Sequence, residues 1–502
     1  MASSSPNVAD PDSETWDLRT WAGLIGGLLL FGLLLATPAP SGLSPAGWHT
    51  AAVGLLMATW WITEAIPIPA TSLLPLVLFP LLGAGSIDEA ARPYANPLIF
   101  LFMGGFLIAL AMQRWDLHRR IALSIIQAVG TRPPALIFGF MLAAAFLSMW
   151  VSNTATAMMM MPIGLSVVRL TETDEGRSAE QHTFAVVLML GIAYACNVGG
   201  MGTIIGTPPN ALLQGFLSET YGVELSFARW MLVGVPFVVV GIPLTYFVLT
   251  RVAFTLELDR IAGGKALIQQ ELEALGPLSR PEKMVGGVFG GVALLWMTRP
   301  LLSSYIPGLS DAGIAMGGAV LLFLLPVDPR ERTFVLDWDT AAGLPWGVLL
   351  LFGGGLSLAS AVERTGLATW IGGRLEALEG APVVLLVLAV GTTIILLTEL
   401  TSNTATTAAF LPIVASVAIG VGQDPYLLLV PAALAASCAF MLPVATPPNA
   451  IVYGSEVMTI PQMARAGVAL NLLFLVLVTA AAYGLVPLVF GVEMGTVPPW
   501  AG

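Results

Sequence analysis

The chain has 502 residues, of which 56% are hydrophobic and 10% are charged. Ordinary soluble domains carry about 25% charged residues, so this composition excludes a soluble enzyme and a disordered protein. The formal net charge is −11, from 20 basic and 31 acidic residues, and no basic patch indicates nucleic acid as a partner. We predict an all-α polytopic membrane protein, because in the lipid bilayer a helix satisfies its own backbone polar groups.

Residues 1–20 are polar, and we interpret them as a disordered tail because they lack the basic region and cleavage site of a signal peptide. Apolar segments separated by Gly and Pro follow, among them 70–86. At about 20 residues per span, they predict about eleven transmembrane helices plus two re-entrant hairpins. The predicted units are a first transmembrane helix with its loop (21–47), a first half (48–252), a polar connector (253–282), a second half (283–490) and a C-terminal tail (491–502).

The distribution of Lys and Arg predicts the orientation of the chain, because loops on the cytoplasmic side carry more basic residues. With a cytoplasmic N-terminus and alternating spans, 15 of the 20 basic residues fall on the cytoplasmic side. The other five are Arg92, Arg229, Arg299, Arg364 and Arg374. This bias predicts a cytoplasmic connector and an external C-terminus, and we expect the inner (plasma) membrane of a bacterium as the location.

The two halves of the chain repeat each other in sequence. SNTATAMMMMPI at 152–163 recurs as SNTATTAAFLPI at 402–413, with seven of twelve positions identical at an offset of 250. TPPNA at 207–211 recurs at 446–450. An odd number of predicted spans separates the halves, so we expect two inverted-topology repeats, the plan of many secondary transporters. A duplicated scaffold without a transport role is the alternative, and the polar character of the repeated residues disfavours it.

Each SNT motif lies near the middle of a long apolar segment, 133–170 in the first half and 381–421 in the second. Both ends of each segment are predicted on the same side, which indicates a re-entrant hairpin with SNT at its tip. Irregular backbone at that depth is allowed only where it is buried or lines a cavity. Ser and Asn oxygens suit Na⁺, while the N-terminus of the following helix suits an anion. An ordinary N-cap is the alternative, and two matching copies disfavour it.

The TPPN motifs are predicted to break a helix in each half, over 183–217 and 425–460. Two consecutive prolines remove two backbone donors, so the carbonyls just before them, at Gly206 and Ala445, lose their helical partners. One hairpin tip and one broken helix in each half would together form a cation-sized cage. A proline kink without any ligand role is the alternative interpretation.

Neither motif contains Lys, Arg or His. Desolvating a dianion in a site without a fixed positive charge is costly, so the motifs indicate cation coupling.

For the two intramembrane acids, Glu64 and Glu399, we expect structural hydrogen bonds in preference to a proton relay. Two other classes of protein are disfavoured. An intramembrane protease would need a Ser/His or paired-Asp arrangement at membrane depth, which the motifs do not offer. A channel would not need the paired cation cages that the motifs predict.

The motifs resemble those of the divalent anion/sodium symporter family, whose members carry di- and tricarboxylates or, in some branches, sulfate. The resemblance covers nearly the whole chain and rests on the paired SNT and TPPN motifs, on WITEAIP (61–67) and on SCAFMLPVATPPNAIV (437–452). It implies Na⁺-coupled symport of C4-dicarboxylates such as succinate, malate and fumarate. It also implies a homodimer in which a transport domain moves against a scaffold domain as an elevator. A sodium-independent exchanger of di- or tricarboxylates and a sulfate transporter are the alternatives.

The resemblance further implies two sodium sites and one substrate site. One sodium site would use Ser152 and Asn153 with backbone carbonyls near Ser148 and Gly206, and the other would use Ser402 and Asn403 with carbonyls near Thr398 and Ala445. The substrate carboxylates would contact Asn153, Thr154, Asn403, Thr404 and Thr446. The expected ligands are therefore at least two Na⁺ ions and a small dianion.

Overall fold

The structure is a computed structural model that describes residues 18–130, 132–171, 178–256, 258, 263–374 and 382–501. It is almost entirely helical. The helices of the first half are α1 (Leu18–Ala36), α2 (Pro45–Thr63), α3 (Ile68–Thr71), α4 (Leu74–Leu81), α5 (Ile87–Ala91), the 3₁₀ turn Arg92–Ala95, α6 (Pro97–Arg114), α7 (Leu117–Val129), α8 (Pro133–Ser148), α9 (Asn153–Arg169), α10 (Ala179–Gly200), α11 (Pro208–Tyr221) and α12 (Phe227–Phe247), which continues as the π-helical turn Val248–Ala253.

The connector contributes one helix, and the second half contributes ten more together with a short hairpin. These elements are α13 (Gly264–Ala274), α14 (Arg280–Leu302), α15 (Asp311–Leu324), the antiparallel strands β1 (Pro326–Asp328) and β2 (Thr333–Phe334), α16 (Trp338–Ala342), α17 (Trp346–Arg364), α18 (Leu367–Arg374), α19 (Val383–Thr398), α20 (Asn403–Gly420), α21 (Tyr426–Ala436), the 3₁₀ turn Pro443–Ala445, α22 (Pro447–Tyr453) and α23 (Ile460–Phe490).

Within the described residues, eight helices are long and apolar enough to cross a membrane, counting α5 and α6 as one. They include α1, α10, α12, α17 and α23. Shorter apolar helices of 10–17 residues include α8, α15, α19 and α21. The chain is therefore an integral membrane protein, and the count of about eleven spans stays a prediction.

Two sequence-based boundaries were wrong. The helix α1 begins at Leu18, so residues 18–20 are helical and do not belong to the tail, while residues 1–17 lie outside the described residues. The segment 70–86 is not one spanning helix, because it holds two short helices, α3 and α4, within Ile68–Leu81. Pro75 lies at the start of α4 and cannot donate the backbone hydrogen bond that would continue α3 into α4. Even as one continuous helix, the segment Ile68–Leu81 would reach about 21 Å, less than the roughly 30 Å of a hydrocarbon core.

The order of helices repeats along the chain. The run from α6 to α11 matches the run from α17 to α22: a long helix ending in Arg, a short helix, two helices joined at an SNT motif, and a helix interrupted before TPPN. In each half the helix before SNT ends at Ser148 or Thr398, and the next begins at Asn153 or Asn403. Four residues therefore separate the two arms of each predicted hairpin.

The broken helices form the centre of the fold. Every residue of α10 from Phe184 to Gly200 is buried, as is every residue of α21. A helix that is apolar on all sides needs neighbours on all sides, and α10 packs against α8, α9, α12 and α22. Helices of the two halves also pack against each other, α9 against α22 and α20 against α11. This packing brings together the four irregular segments of the chain, which are the two SNT hairpin tips and the two helix breaks before TPPN.

Candidate functional site

The four irregular segments line one cavity of about 780 Å³. It lies between the two hairpin tips and the two helix breaks, with walls from α6 and from the starts of α3 and α17. Its motif residues come from both halves: Ser152, Asn153, Thr154, Gly206, Thr207 and Pro208 from the first, and Ser402, Asn403, Thr404, Ala445, Thr446 and Pro447 from the second. Nine of the eleven predicted site residues line this cavity, and Ser148 and Thr398 do not.

The hairpin tips are built in the same way in both halves. Ser152 Oγ accepts the Ala155 N–H at 3.2 Å, and Ser402 Oγ accepts the Ala405 N–H at 3.4 Å. These serines therefore are N-caps, as the alternative interpretation held, and they also line the cavity. The N-termini of α9 and α20 point free backbone N–H groups toward this space, which favours an anion.

The two remaining predicted residues lie behind the tips. Ser148 Oγ donates to Asn153 Oδ1, and Thr398 Oγ1 donates to Asn403 Oδ1 at 2.5 Å. Both hydroxyl-bearing residues are fully buried. Their side chains thus orient the two asparagine amides, a contact that the sequence did not predict because only the carbonyls near these positions were considered.

The asparagines of the TPPN motifs hold the helix breaks in shape. Asn210 Nδ2 donates to the carbonyls of Gly200, Met201 and Thr203 at 3.2, 3.3 and 2.7 Å. Asn449 Nδ2 donates to Ala439 O at 3.2 Å and Leu442 O at 3.1 Å. Buried carbonyls that lose a helical partner need another donor. This role was not predicted from the sequence, although the repetition of Asn after the prolines was a signal for it.

Close approach of the backbone shapes the first cage. A Cβ atom on Gly200 would lie 2.9 Å from Asn153 Oδ1 and 3.0 Å from Gly206 O. Glycine at this position therefore leaves open the space between an amide oxygen and a backbone carbonyl. Asn153 and Gly206 also line the cavity. Oxygens of these kinds suit Na⁺, and the first sodium site stays a prediction.

One polar side chain connects the two halves at the cavity. Asn197 of α10 donates to Thr446 Oγ1 at 3.1 Å and lies within 3.3 Å of Asn449 Oδ1. One turn earlier, Tyr194 donates to Phe440 O at 2.7 Å. Both residues belong to the first half and hold the break of the second. These contacts were not predicted from the sequence, because each joins residues that are more than 240 positions apart.

The cavity wall carries a single charged residue among the described residues that line it. That residue is Glu64, at the C-cap of α2 with a left-handed backbone (φ 52°). No Lys, Arg or His is among the lining residues of the described chain. A transported anion in this cavity would therefore meet hydroxyls, amides and helix ends, and a cation would have to supply any positive charge.

A polytopic membrane protein with repeated hairpin tips and broken helices around one cavity has the architecture of a secondary transporter. The family model described as "Sodium:sulfate symporter transmembrane region" matches residues 18–490, and the chain belongs to this family. The resemblance inferred from the motifs is thereby confirmed. Because the family consists of transporters, the chain is a transport protein and not an enzyme.

Similar proteins agree with this assignment. A sodium-dependent dicarboxylate transporter of Staphylococcus saprophyticus is 44% identical over 490 residues, covering 96% of this chain and 94% of the relative. Its counterpart in Staphylococcus aureus USA300 is 45% identical over 480 residues, covering 94% of this chain and 92% of the relative.

Among solved structures, the YdaH transporter of Alcanivorax borkumensis has a TM-score of 0.57 at 12% identity, covering 94% of this chain and 98% of that one. Neisseria gonorrhoeae MtrF has a TM-score of 0.55, also at 12% identity, with coverages of 97% and 98%. These two structures resemble the chain in fold alone.

Proposed function

We propose that the chain carries out Na⁺-coupled symport of C4-dicarboxylates such as succinate, malate and fumarate. One observation carries the proposal: the SNT and TPPN motifs of both halves meet at one cavity whose described lining contains no fixed positive charge. Two Na⁺ ions would neutralise a dianion there. The names of the relatives at 44–45% identity, sodium-dependent dicarboxylate transporters, support both the ion and the substrate class.

Two sodium sites and one substrate site follow from this proposal. The first sodium site uses Ser152, Asn153 and the Gly206 carbonyl, and Ser148 orients the asparagine amide. The second uses Ser402, Asn403 and the Ala445 carbonyl, with Thr398 in the orienting role. Asn153, Thr154, Asn403, Thr404 and Thr446 bind the substrate carboxylates between them. The N-termini of α9 and α20 add two partial positive charges.

The proposal extends to the way the chain moves. Two inverted repeats, with about eleven spans and two re-entrant hairpins, would present the cavity alternately to each side of the membrane. The hairpins and broken helices form the transport domain of an elevator, and the other helices form a scaffold that dimerises. The chain resides in a bacterial plasma membrane with its N-terminus in the cytoplasm and its C-terminus outside, as the distribution of basic residues predicts.

Uptake of labelled succinate into proteoliposomes tests the proposed function. An inward Na⁺ gradient should drive accumulation above the external concentration, whereas a channel would only equalise the two concentrations. Unlabelled malate and fumarate should compete with the labelled substrate. If labelled succinate accumulates in sodium-free choline buffer whenever the proteoliposomes contain unlabelled dicarboxylate, symport is rejected and the chain is an exchanger.

Sulfate is the second candidate substrate, because the description of the matching family model names it. Sulfate is also a dianion, so two Na⁺ ions would neutralise it equally well. Competition by excess sulfate against labelled succinate, at constant Na⁺ and ionic strength, separates the two candidates. Strong inhibition by excess sulfate would favour a sulfate transporter, and no inhibition would favour dicarboxylates.

A further inference from the structure

Glu399 lies directly behind the second hairpin tip and is 3% exposed. Its carboxylate accepts three consecutive backbone N–H groups of the second helix break. Oε1 accepts from Phe440 N at 2.8 Å and from Met441 N at 3.0 Å, and Oε2 accepts from Met441 N at 3.0 Å and from Leu442 N at 3.2 Å. Asn471 of α23 donates a further hydrogen bond to Oε1 at 2.7 Å. A carboxylate has about four acceptor positions, and here each is used.

The preceding residue acts on the other side of the same break. Thr398 Oγ1 donates to the carbonyl of Ala436, the last residue of α21, at 2.8 Å. The same hydroxyl contacts Asn403 Oδ1. The C-terminal end of α19 therefore binds both edges of the break that leads to Ala445 and Thr446. Ala445 and Asn403 lie on opposite sides of the proposed second sodium site, and Thr446 belongs to the proposed substrate site.

The described part of the first half has no equivalent of this arrangement. The position of Glu399 corresponds to Met149, whose backbone carbonyl accepts one hydrogen bond, from Thr203 Oγ1 at 2.5 Å. Asn210 and Trp230 hold the first break through its carbonyls instead. Each break is held by the asparagine of its own TPPN motif. Among the described residues, the backbone N–H groups of the second break also bind a carboxylate, and those of the first break do not.

We propose that Glu399 is a positioning residue for the second sodium site. Its carboxylate replaces the missing helical acceptors of the 437–442 segment and so fixes the distance between the break and the hairpin tip. The second site is then held by a carboxylate at the end of α19, whereas the first site has Met149 at the matching position. The two sites therefore differ in how far they are formed before sodium binds. This inference rests on the proposed function, since it takes the ion at that site to be Na⁺.

Replacing Glu399 by Gln tests the inference, because the amide keeps the shape but offers a single acceptor oxygen. The purified full-length chain is unfolded thermally over a series of NaCl concentrations, with choline chloride keeping the ionic strength constant. We expect Glu399→Gln to raise the Na⁺ concentration for half-maximal stabilisation by about 10- to 100-fold, as loss of an outer-shell partner of a bound metal does. The Na⁺ dependence of succinate uptake should shift by the same factor, with a much smaller change in the rate at saturating Na⁺.

Asp311→Asn is the matched control. Asp311 is also a buried carboxylate, 4% exposed, which accepts the Phe227 N–H at 2.9 Å and pairs with Arg299, and it does not line the cavity. This variant should lose stability in choline while keeping the wild-type Na⁺ midpoint. Glu399→Asp keeps two carboxylate oxygens on a shorter side chain, and we expect an intermediate midpoint. This second variant decides the matter if Glu399→Gln does not fold.

The outcomes separate this inference from the proposed function. If wild-type chain shows no stabilisation by Na⁺ relative to choline, the proposed function itself fails. If wild-type chain depends on Na⁺, and the Glu399 variants lose stability in choline without any change in the Na⁺ midpoint, Glu399 is only a structural residue and the inference is overturned.

Discussion

Asn153 and Asn403 occupy the same position in the two hairpins, where each begins a helix, accepts a hydrogen bond from a buried hydroxyl and lines the cavity. We expect Asn153→Ala and Asn403→Ala each to abolish Na⁺-coupled uptake while the chain still folds. Loss of one ligand from a closed cage should weaken Na⁺ binding by about tenfold or more, which is about 1.4 kcal/mol or more. The measurement is the Na⁺ dependence of initial succinate uptake.

Asn96→Ala is the control for both variants. Asn96 is a buried asparagine, 6% exposed, that caps α6 by accepting the Leu98 N–H, and it does not line the cavity. This variant should lose stability by about 1 kcal/mol with an unchanged Na⁺ dependence. Normal uptake and normal Na⁺ dependence in either cage variant would show that the amides are not sodium ligands.

Gly200 tests whether the space between Asn153 Oδ1 and Gly206 O is the first sodium site. Alanine there would place a Cβ within 3.0 Å of both oxygens, so Gly200→Ala should weaken Na⁺ binding several-fold, on the order of 1 kcal/mol. Gly26→Ala in α1, where a Cβ meets nothing within 4 Å, should leave Na⁺ binding unchanged. Equal Na⁺ midpoints for Gly200→Ala and wild-type chain, measured by thermal unfolding, would place the ion elsewhere.

The helix breaks depend on the two amides of the TPPN asparagines. Asn449→Ala would leave the buried carbonyls of Ala439 and Leu442 without these donors, at a cost of about 1–3 kcal/mol for an unsatisfied group. We expect a clear fall in the thermal unfolding temperature, and a similar fall for Asn210→Ala. Thr298→Ala, which removes only an exposed hydrogen bond to Leu294 O, should have little effect. Wild-type stability in both asparagine variants would show that the breaks do not need these side chains.

The sequence predicted the tips and the breaks because their causes are local. Consecutive prolines remove backbone donors wherever they occur, and SNT in the middle of an apolar segment implies irregular backbone that lines a cavity. It did not predict how Glu399 and Asn197 act, because their partners lie 41 or more residues away and depend on how the helices pack. The segment 70–86 was wrongly predicted as one span because its hydrophobicity is typical of a span. Its prolines instead divide it into two short helices.

The orientation of the whole molecule can be tested by cysteine labelling. Gln270 on α13 and Met494 near the C-terminus are exposed and suit this labelling. Both native cysteines are fully buried, so the wild-type background should stay unlabelled. We expect a membrane-impermeant maleimide to label Met494→Cys in intact cells and Gln270→Cys only after permeabilisation. Labelling of both from the same side would contradict the inverted topology.

The absence of a fixed cation in the described cavity lining also predicts a pH dependence. Two Na⁺ ions neutralise a dianion but leave a net positive charge on a singly protonated substrate. The dianion should therefore be preferred, and uptake at constant total succinate should fall as the pH drops through the second pKa of the substrate. The apparent KM expressed in dianion alone should stay constant over the same range. A KM that is constant in total succinate would show that the site does not distinguish the two forms.

The central claim is that sodium and the dianion occupy one cavity and neutralise each other, and reciprocal binding tests it most directly. Binding free energies are linked, so the factor by which Na⁺ raises succinate affinity must equal the factor by which succinate raises Na⁺ affinity. Succinate binding to the purified chain is measured by calorimetry over a series of Na⁺ concentrations at constant ionic strength. The account predicts that succinate affinity rises steeply with Na⁺, with a Hill coefficient above one, and that binding is lost in choline. A succinate affinity that does not change between choline and saturating Na⁺ would contradict it.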